Sequence, residues 1–288
     1  MSNESAPQPA LEKLADSLQQ TVNGIFQAGG VPGKKARNFL NGVWLGHALH
    51  PLLTDVPVGA WTTAAALDLL SGADDKSDLA AGADAAVGLG ILGAVGAAVA
   101  GITDWSDTYG EERSIGLTHM LLNVGSLGAY SLSFLLRKNG QRKLGVALSL
   151  AAYGTTAFSS YLGGELVFRI GSMVNHTAFH EKPGEWTELM DEADLPENTL
   201  HKADANGAPV LVVKQGNEVY ALHDICSHAG GPLNEGQLEG DTVVCPWHGS
   251  RFCLKDGKVI DGPATFDAPT YEVRREAGKI EVRHVSSH

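Results

Sequence analysis

The sequence predicts an α + β chain with helices and strands in separate domains: a four-helix transmembrane bundle followed by a small antiparallel β domain. Three observations carry this. Residues 85–103, 115–136 and 144–164 contain no Asp, Glu, Lys or Arg, over 19, 22 and 21 residues. Residues 38–70 carry only Asp55 and Asp68. From residue 184 onward there are 18 acidic and 9 basic residues, so this part holds −9 of the formal net charge of −12. Uncharged apolar runs of about 20 residues suit helices that cross a hydrocarbon core of about 30 Å. A buried bundle in a soluble protein is the alternative reading of the same runs.

The whole-chain averages hide this division. With 288 residues, 43% apolar and 19% charged, the chain reads as one ordinary acidic protein. The balance excludes a collagen-like repeat, a disordered acidic chain and a charge-driven nucleic-acid binder, which needs a basic surplus. Three cysteines are too few for a disulfide framework.

In chain order, residues 1–37 form an N-terminal tail. Its Leu11, Leu14, Leu18, Val22 and Ile25 recur at spacings of three and four, which predicts an amphipathic helix ended by Gly29-Gly30-Val31-Pro32-Gly33. No basic start followed by an apolar run marks a secretory signal. Residues 38–172 hold the four helices. The first runs from Pro51, where a missing N–H costs nothing, to Leu70, with a bend at Pro57. The second runs from Ala80 to Thr103, with Gly93, Ala97 and Gly101 on one face for close helix approach. Ile115–Leu136 is the third, and Leu144 to Ile170 the fourth. Residues 173–183 read as a linker and 184–288 as the β domain, where Val210–Val213, Glu218–Leu222, Asp241–Cys245 and Tyr271–Arg275 are short strand-type runs.

Within the β domain stand Cys226-Ser227-His228 and, after sixteen intervening residues, Cys245-Pro246-Trp247-His248. Two Cys and two His can hold zinc or a mixed-ligand iron–sulfur centre. Zinc fingers usually pair Cys with Cys and His with His, whereas here each loop supplies one of each. The stretch Cys226-Ser227-His228-Ala229-Gly230-Gly231-Pro232-Leu233, then Cys245 to Phe252, then Gly262-Pro263-Ala264, resembles the Rieske iron–sulfur family over about 184–284. The resemblance implies an antiparallel β Rieske domain whose two ligand loops and Pro loop enclose a [2Fe–2S] cluster. It also implies the metal ligands: Cys226 and Cys245 on one iron, His228 and His248 on the other.

High-potential, quinol-oxidising members of that family carry a disulfide between the two loops, and Ser and Tyr hydroxyls bonded to sulfur. The positions matching those two cysteines hold Gly231 and Trp247 here. Ser250 matches the Ser, but Phe252 takes the place of the Tyr. Fewer hydrogen bonds to sulfur place the expected potential in the lower half of the Rieske range of about −150 to +300 mV. Cys253 reads as a small buried apolar side chain. Rieske oxygenases add a large catalytic domain with a two-His, one-carboxylate iron site. Only His284 and His288 follow the cluster motif here, so the sequence does not read as an oxygenase catalytic subunit.

With four spans, His47, His50, Asp104, His119, His176 and His180 all fall on the side of the membrane that carries the β domain. Ionisable groups at one membrane level are candidate functional groups. Three readings stand. The residues satisfy helix ends, with His50 at the cap position before Pro51; or His50 and His119 ligate a haem b; or His47, His50, Asp104 and His119 hold a metal or a quinone head. The segment from Gly46 to Leu53, with Asp104-Trp105 and His119, is similar to a bacterial four-helix membrane family of no known activity, over about 38–170. Basic residues near the helix ends number five on each side, Lys76, Arg137 and Arg142 among them, and give no orientation.

The sequence thus predicts a multi-pass protein of the bacterial inner membrane, its Rieske domain on the cytoplasmic side. It would pass single electrons between a redox partner and the membrane domain or another acceptor. The −9 charge of the domain suggests a basic docking surface on that partner. The membrane lipid is the other expected partner, and nucleic acid is not one. A redox sensor, or a haem- or quinone-linked oxidoreductase, is the alternative reading.

Overall fold

The computed structural model describes residues 9–72 and 77–284. Lys76 and His288 lie outside the described residues. The chain divides into two compact units, Met1–Ala36 with Ala48–Ser172, and Arg37–His47 with Met173–His288.

The described residues of the N-terminal half form six helices: α1 (Pro9–Ala28), α2 (Gly30–Asn41), α3 (Leu49–Ser71), α4 (Asp78–Trp105), α5 (Gly110–Lys138) and α6 (Arg142–Gly164). A wide π-type turn, Glu165–Ile170, extends α6. The Gly29–Gly33 segment therefore ends α1 but does not end helical structure. Gly30 takes a left-handed conformation (φ 55°), and a second helix starts there. In the first unit α3 packs on α4 and α6, α5 packs on α4 and α6, and α1 lies against α4 and α5. Close packing of α3 on α4 rests on glycine. A Cβ on Gly90 would meet the Trp61 indole at 2.2 Å, and one on Gly93 would meet Val56 at 2.6 Å.

Two of these helices, Asp78–Trp105 and Gly110–Lys138, are long and apolar enough to cross a membrane. The bundle is apolar outside and polar inside. Leu89, Leu92, Val124, Leu135, Leu144 and Phe158 are exposed, while Ser126, Ser133, Arg137, Arg142, Ser149, Thr156 and Ser159 are buried. On α5 the inward stripe reads His119, Asn123, Ser126, Tyr130, Ser133, Arg137, alternating steps of four and three. At one end of the bundle Arg137 donates to Asp68 Oδ2 (2.5 Å), Asp84 Oδ1 (3.0 Å) and Ser149 Oγ (2.7 Å). Arg142 donates to Asp68 Oδ1 (2.6 Å) and to Asp84. Two carboxylates thus face two guanidiniums, and the buried charges balance. In mid-bundle Trp61 and Tyr130 stack at 3.9 Å between centroids.

The described residues of the second unit form ten short strands in three antiparallel sheets. They are β1 (Thr187–Asp191), β2 (His201–Ala205), β3 (Ala208–Gln215), β4 (Glu218–His223), β5 (Gln237–Glu239), β6 (Thr242–Val244), β7 (Arg251–Cys253), β8 (Val259–Asp261), β9 (Glu272–Glu276) and β10 (Lys279–Arg283). The sheet orders are β1-β10-β9, β2-β3-β4 and β5-β6-β7-β8. β3 alternates its side chains between two cores. Val210 and Val212 join Tyr271, Ile280 and Val282 in one; Leu211 and Val213 join Phe252, Leu254, Cys226 and Cys245 in the other. The second core anchors the loops described next.

Candidate iron–sulfur site

Two loops leave the β sheets toward one end of the second unit, and both close with the same hydrogen bonds. Cys226 N–H donates to the Gly231 carbonyl (2.8 Å), and Gly230 N–H donates to the Cys226 carbonyl (2.9 Å). Cys245 N–H donates to the Ser250 carbonyl (2.8 Å), and Gly249 N–H to the Cys245 carbonyl (3.1 Å). Gly230 (φ 79°) and Gly249 (φ 73°) supply the left-handed residue that each closure needs. The turn recurs a third time at Cys253, whose N–H donates to Lys258 and whose carbonyl accepts from Gly257. No histidine follows Cys253 in that loop.

The twin turns bring like with like. Cys226 and Cys245 are buried against each other, and the hydrogen bond between the two thiols pulls Cys245 below the usual thiol range and pushes Cys226 above it. The His228 and His248 rings lie 4.8 Å apart between centroids, at 85°. Burial, with His248 and His176 nearby, pushes the His228 imidazolium down to about 3, so its ring is neutral and can act as a ligand. Nδ1 of His228 is buried with no hydrogen-bond partner, and Nδ1 of His248 is buried as well. A buried imidazole nitrogen with no hydrogen-bond partner, two residues from a buried thiol, has the chemistry of a metal ligand. Two thiols on one side and two neutral imidazoles on the other fit a two-iron, mixed-ligand cluster.

The surroundings are close and partly polar. Ser250 is fully buried, and its Oγ accepts from Ala264 N–H of the Pro loop (2.9 Å), which leaves the hydroxyl proton to be donated elsewhere. Phe252, also fully buried, offers no hydroxyl. A Cβ on Gly231 would lie 3.0 Å from Cys245 Sγ and 3.0 Å from the Trp247 ring, so this glycine lets the loops meet. Trp247 itself is 54% exposed and turns its ring edge to His248. Ser227 Oγ ties the first loop to the Phe266 carbonyl (2.5 Å).

His223, fully buried at the end of β4, stands three residues before Cys226. Its Nδ1 meets the Tyr271 hydroxyl (3.0 Å) and its Nε2 meets His180 Nδ1 (3.1 Å). Burial above all, then the nearby His180, Lys182 and His284, pushes its pKa from 6.5 down to about 4. The folded state therefore refuses a proton that the unfolded state accepts. Stability from this group is fully present above about pH 6.5 and is lost as pH falls toward about 4, by about 3 kcal/mol in all. Denaturant titrations of the detergent-solubilised protein between those pH values are expected to show this slope. His223→Asn should flatten it, and a flat profile in the unaltered protein would contradict the assignment.

The membrane histidines are placed differently from the sequence expectation. His50 is the second residue of α3, which Ala48 caps. Its Nδ1–H donates to the Ala97 carbonyl on α4 (2.8 Å), so it does not cap its own helix. His119 Nδ1–H donates to the Ser159 carbonyl on α6 (2.8 Å), and its Nε2 accepts from Asn123 (3.1 Å). The two rings are 6.4 Å apart, edge to face. Both Nδ1–H donors are thus turned onto backbone, and His119 Nε2 is engaged by Asn123. Among the described residues no three His, Cys, Asp or Glu side chains gather to hold a single metal ion. Asp104 lies in the last turn of α4, with one carboxylate oxygen buried and unpartnered. His47, His176 and His180 belong to the second unit. His176 N–H donates to the Ser227 carbonyl of the first ligand loop (3.0 Å).

This geometry defines an antiparallel β domain built to hold a binuclear iron–sulfur centre between paired thiols and paired imidazoles. Comparison with known proteins then gives the family. Residues 185–272 match the Rieske [2Fe-2S] domain. The 3-phenylpropionate/cinnamic acid dioxygenase ferredoxin subunit of Escherichia coli (strain K12) is 44% identical over 90 residues, 31% of this chain and 83% of that protein. Its counterpart in Shigella boydii serotype 4 (strain Sb227) is 43% identical over 90 residues, with the same coverage. The solved ferredoxin of carbazole 1,9a-dioxygenase from Nocardioides aromaticivorans IC177 is 26% identical and covers 35% of this chain and 98% of its own, with a TM-score of 0.33. Through this domain the chain belongs to the Rieske [2Fe-2S] family. Residues 46–176 match a second family, described as a predicted membrane protein (DUF2231). The Rieske domain implies a [2Fe–2S] cluster, and with its ferredoxin-subunit relatives it supports a role in iron–sulfur electron transfer.

Proposed function

We propose that the protein is a membrane-anchored, ferredoxin-type Rieske electron carrier. The observation that carries this is the pairing of two buried thiols and of two imidazoles on twin loops, with His228 Nδ1 buried and without a hydrogen-bond partner. Cys226 and Cys245 hold one iron as thiolates, and His228 and His248 hold the other through imidazole nitrogens. The cluster supplies one-electron redox chemistry; the chain supplies a dry, neutral-imidazole setting and an exposed Trp247 at the histidine edge. With Phe252 in place of a hydroxyl donor, the potential lies in the lower half of the Rieske range.

All four helices α3–α6 span the membrane in this reading. Support comes from the inside-out arrangement of the bundle. Leu89, Leu92, Leu135 and Leu144 face outward while Asp68, Arg137 and Arg142 are buried, the opposite of what a soluble bundle favours. Burying Asp68, Asp84, Arg137 and Arg142 as a balanced group is how ionisable side chains are tolerated there. The N-terminal tail, the bundle over 38–172, a linker over 173–183 and the Rieske domain from 184 remain the sequence-level organisation. The Rieske domain faces the cytoplasm, where such clusters are assembled. The ferredoxin-subunit relatives are named for dioxygenases, and by analogy the external partner is a redox protein, with a basic surface facing the acidic domain.

The test is kinetic. The carrier reading expects rapid reduction of the cluster by a reductase or quinol and reoxidation by an acceptor protein, with rates that fall as salt rises. Partner binding that changes with redox state without turnover would instead establish the sensor.

A further inference from the structure

Two stretches of the second unit lie outside the Rieske match at 185–272, and both grip the loops of the cluster site. From the N-terminal side, Asn38 makes a two-point contact with the Pro loop. Its Nδ2 donates to Asp261 Oδ1 (2.9 Å), and its Oδ1 accepts from Gly262 N–H (3.1 Å). One helical turn on, Asn41 is fully buried. Its Nδ2 lies 3.0 Å, and a Val43 methyl 3.2 Å, from where a Cβ on Gly262 would stand, so a side chain there would press on both. Both polar atoms of the Asn41 amide are buried with no hydrogen-bond partner, an arrangement that burial alone would select against. From the other side, His176 N–H holds the Ser227 carbonyl between Cys226 and His228 (3.0 Å). Thr177 is buried at 1% exposure, and Asn175 caps that turn through its Oδ1.

We propose that residues 37–47 and 175–180 form a built-in clamp on the cluster loops, with Asn38 and Asn41 as positioning residues that set the cluster's redox behaviour. The inference rests on the Rieske reading of the site. One arm fixes the Pro loop, whose Ala264 amide already engages Ser250; the other fixes the first ligand loop. Holding the loops closed keeps water from the cluster. Water favours the more negatively charged reduced form, so loosening an arm raises the midpoint potential.

The test uses the full-length, cluster-loaded protein in detergent. In Asn38→Ala, hydrogen exchange at Gly262 and Ala264 is expected to quicken. The ratio of reduced to oxidised cluster at a fixed potential is expected to rise about tenfold, equivalent to about 59 mV for a one-electron couple. Asn38→Gln, which keeps the neutral amide on a side chain one methylene longer, should fall between that variant and the unaltered protein. If Asn38→Ala retains no cluster while Asn38→Gln does, the amide contact with Asp261 and Gly262 is still identified as the one that matters. Midpoint and exchange unchanged in every variant that loads would overturn the clamp. A Rieske spectrum missing from the unaltered protein would instead overturn the reading beneath it.

Discussion

Cys226→Ser is expected to abolish the visible and EPR signatures of the cluster. Cys226 is 1% exposed and packed with Cys245 among Leu211, Leu222, Leu233 and Phe252. A serine there brings a hard oxygen, protonated at neutral pH, where a soft thiolate is needed. Without the cluster, His228 Nδ1 remains a buried nitrogen without a partner, and the two loops lose their only covalent link through metal. Protease cutting within residues 224–236 and 245–250 should therefore rise along with the spectral loss. Cys253→Ser is the control, because Cys253 occupies the same turn but lacks a following histidine. Its spectrum should match that of the unaltered protein, and loss of signal in Cys253→Ser with retention in Cys226→Ser would reverse the assignment.

Asp68→Asn is expected to destabilise the helical unit by about 3–5 kcal/mol. Asp68 accepts from both Arg137 and Arg142, and the Arg137 side chain is 0% exposed. Removing its charge leaves two guanidiniums to share Asp84. A lower thermal midpoint of the detergent-solubilised protein would register the loss. Replacing the pair together, Asp68→Leu with Arg137→Met, should recover part of it, because an apolar pair incurs no desolvation penalty. Equal stability of Asp68→Asn and the unaltered protein would remove the network's structural role.

The charge-free runs made the helices legible. Predicted starts and ends for α3 and α4 lie within two residues of Leu49–Ser71 and Asp78–Trp105. α2 was not legible, because Gly29-Gly30-Val31-Pro32-Gly33 reads as a stop and nothing local says that a helix resumes at once. The candidate cluster residues Cys226, His228, Cys245 and His248 stood out because residue type and spacing are local to each short loop, and the two loops bring the two His rings together. The Asn38 contact was not. It joins residues 223 and 224 positions apart, and only tertiary structure brings Asn38 to Asp261 and Gly262. His176 and His180 were grouped with the membrane histidines because they follow α6 in sequence, whereas their bonds are to Ser227 and His223. Arg137 and Arg142 looked like loop cations at helix ends, yet both point inward to carboxylates on α3 and α4. In each case the residue type was plain and its direction was not.

The central claim is that this chain holds a [2Fe–2S] cluster on two thiolates and two imidazoles. It is tested most directly by one spectrum pair, visible absorption and low-temperature EPR, on the detergent-purified full-length protein before and after dithionite. Rieske-type absorption bands that bleach on reduction are expected, with a rhombic EPR signal appearing alongside, at two irons per chain. A colourless protein containing stoichiometric zinc, with no signal after reduction, would contradict it.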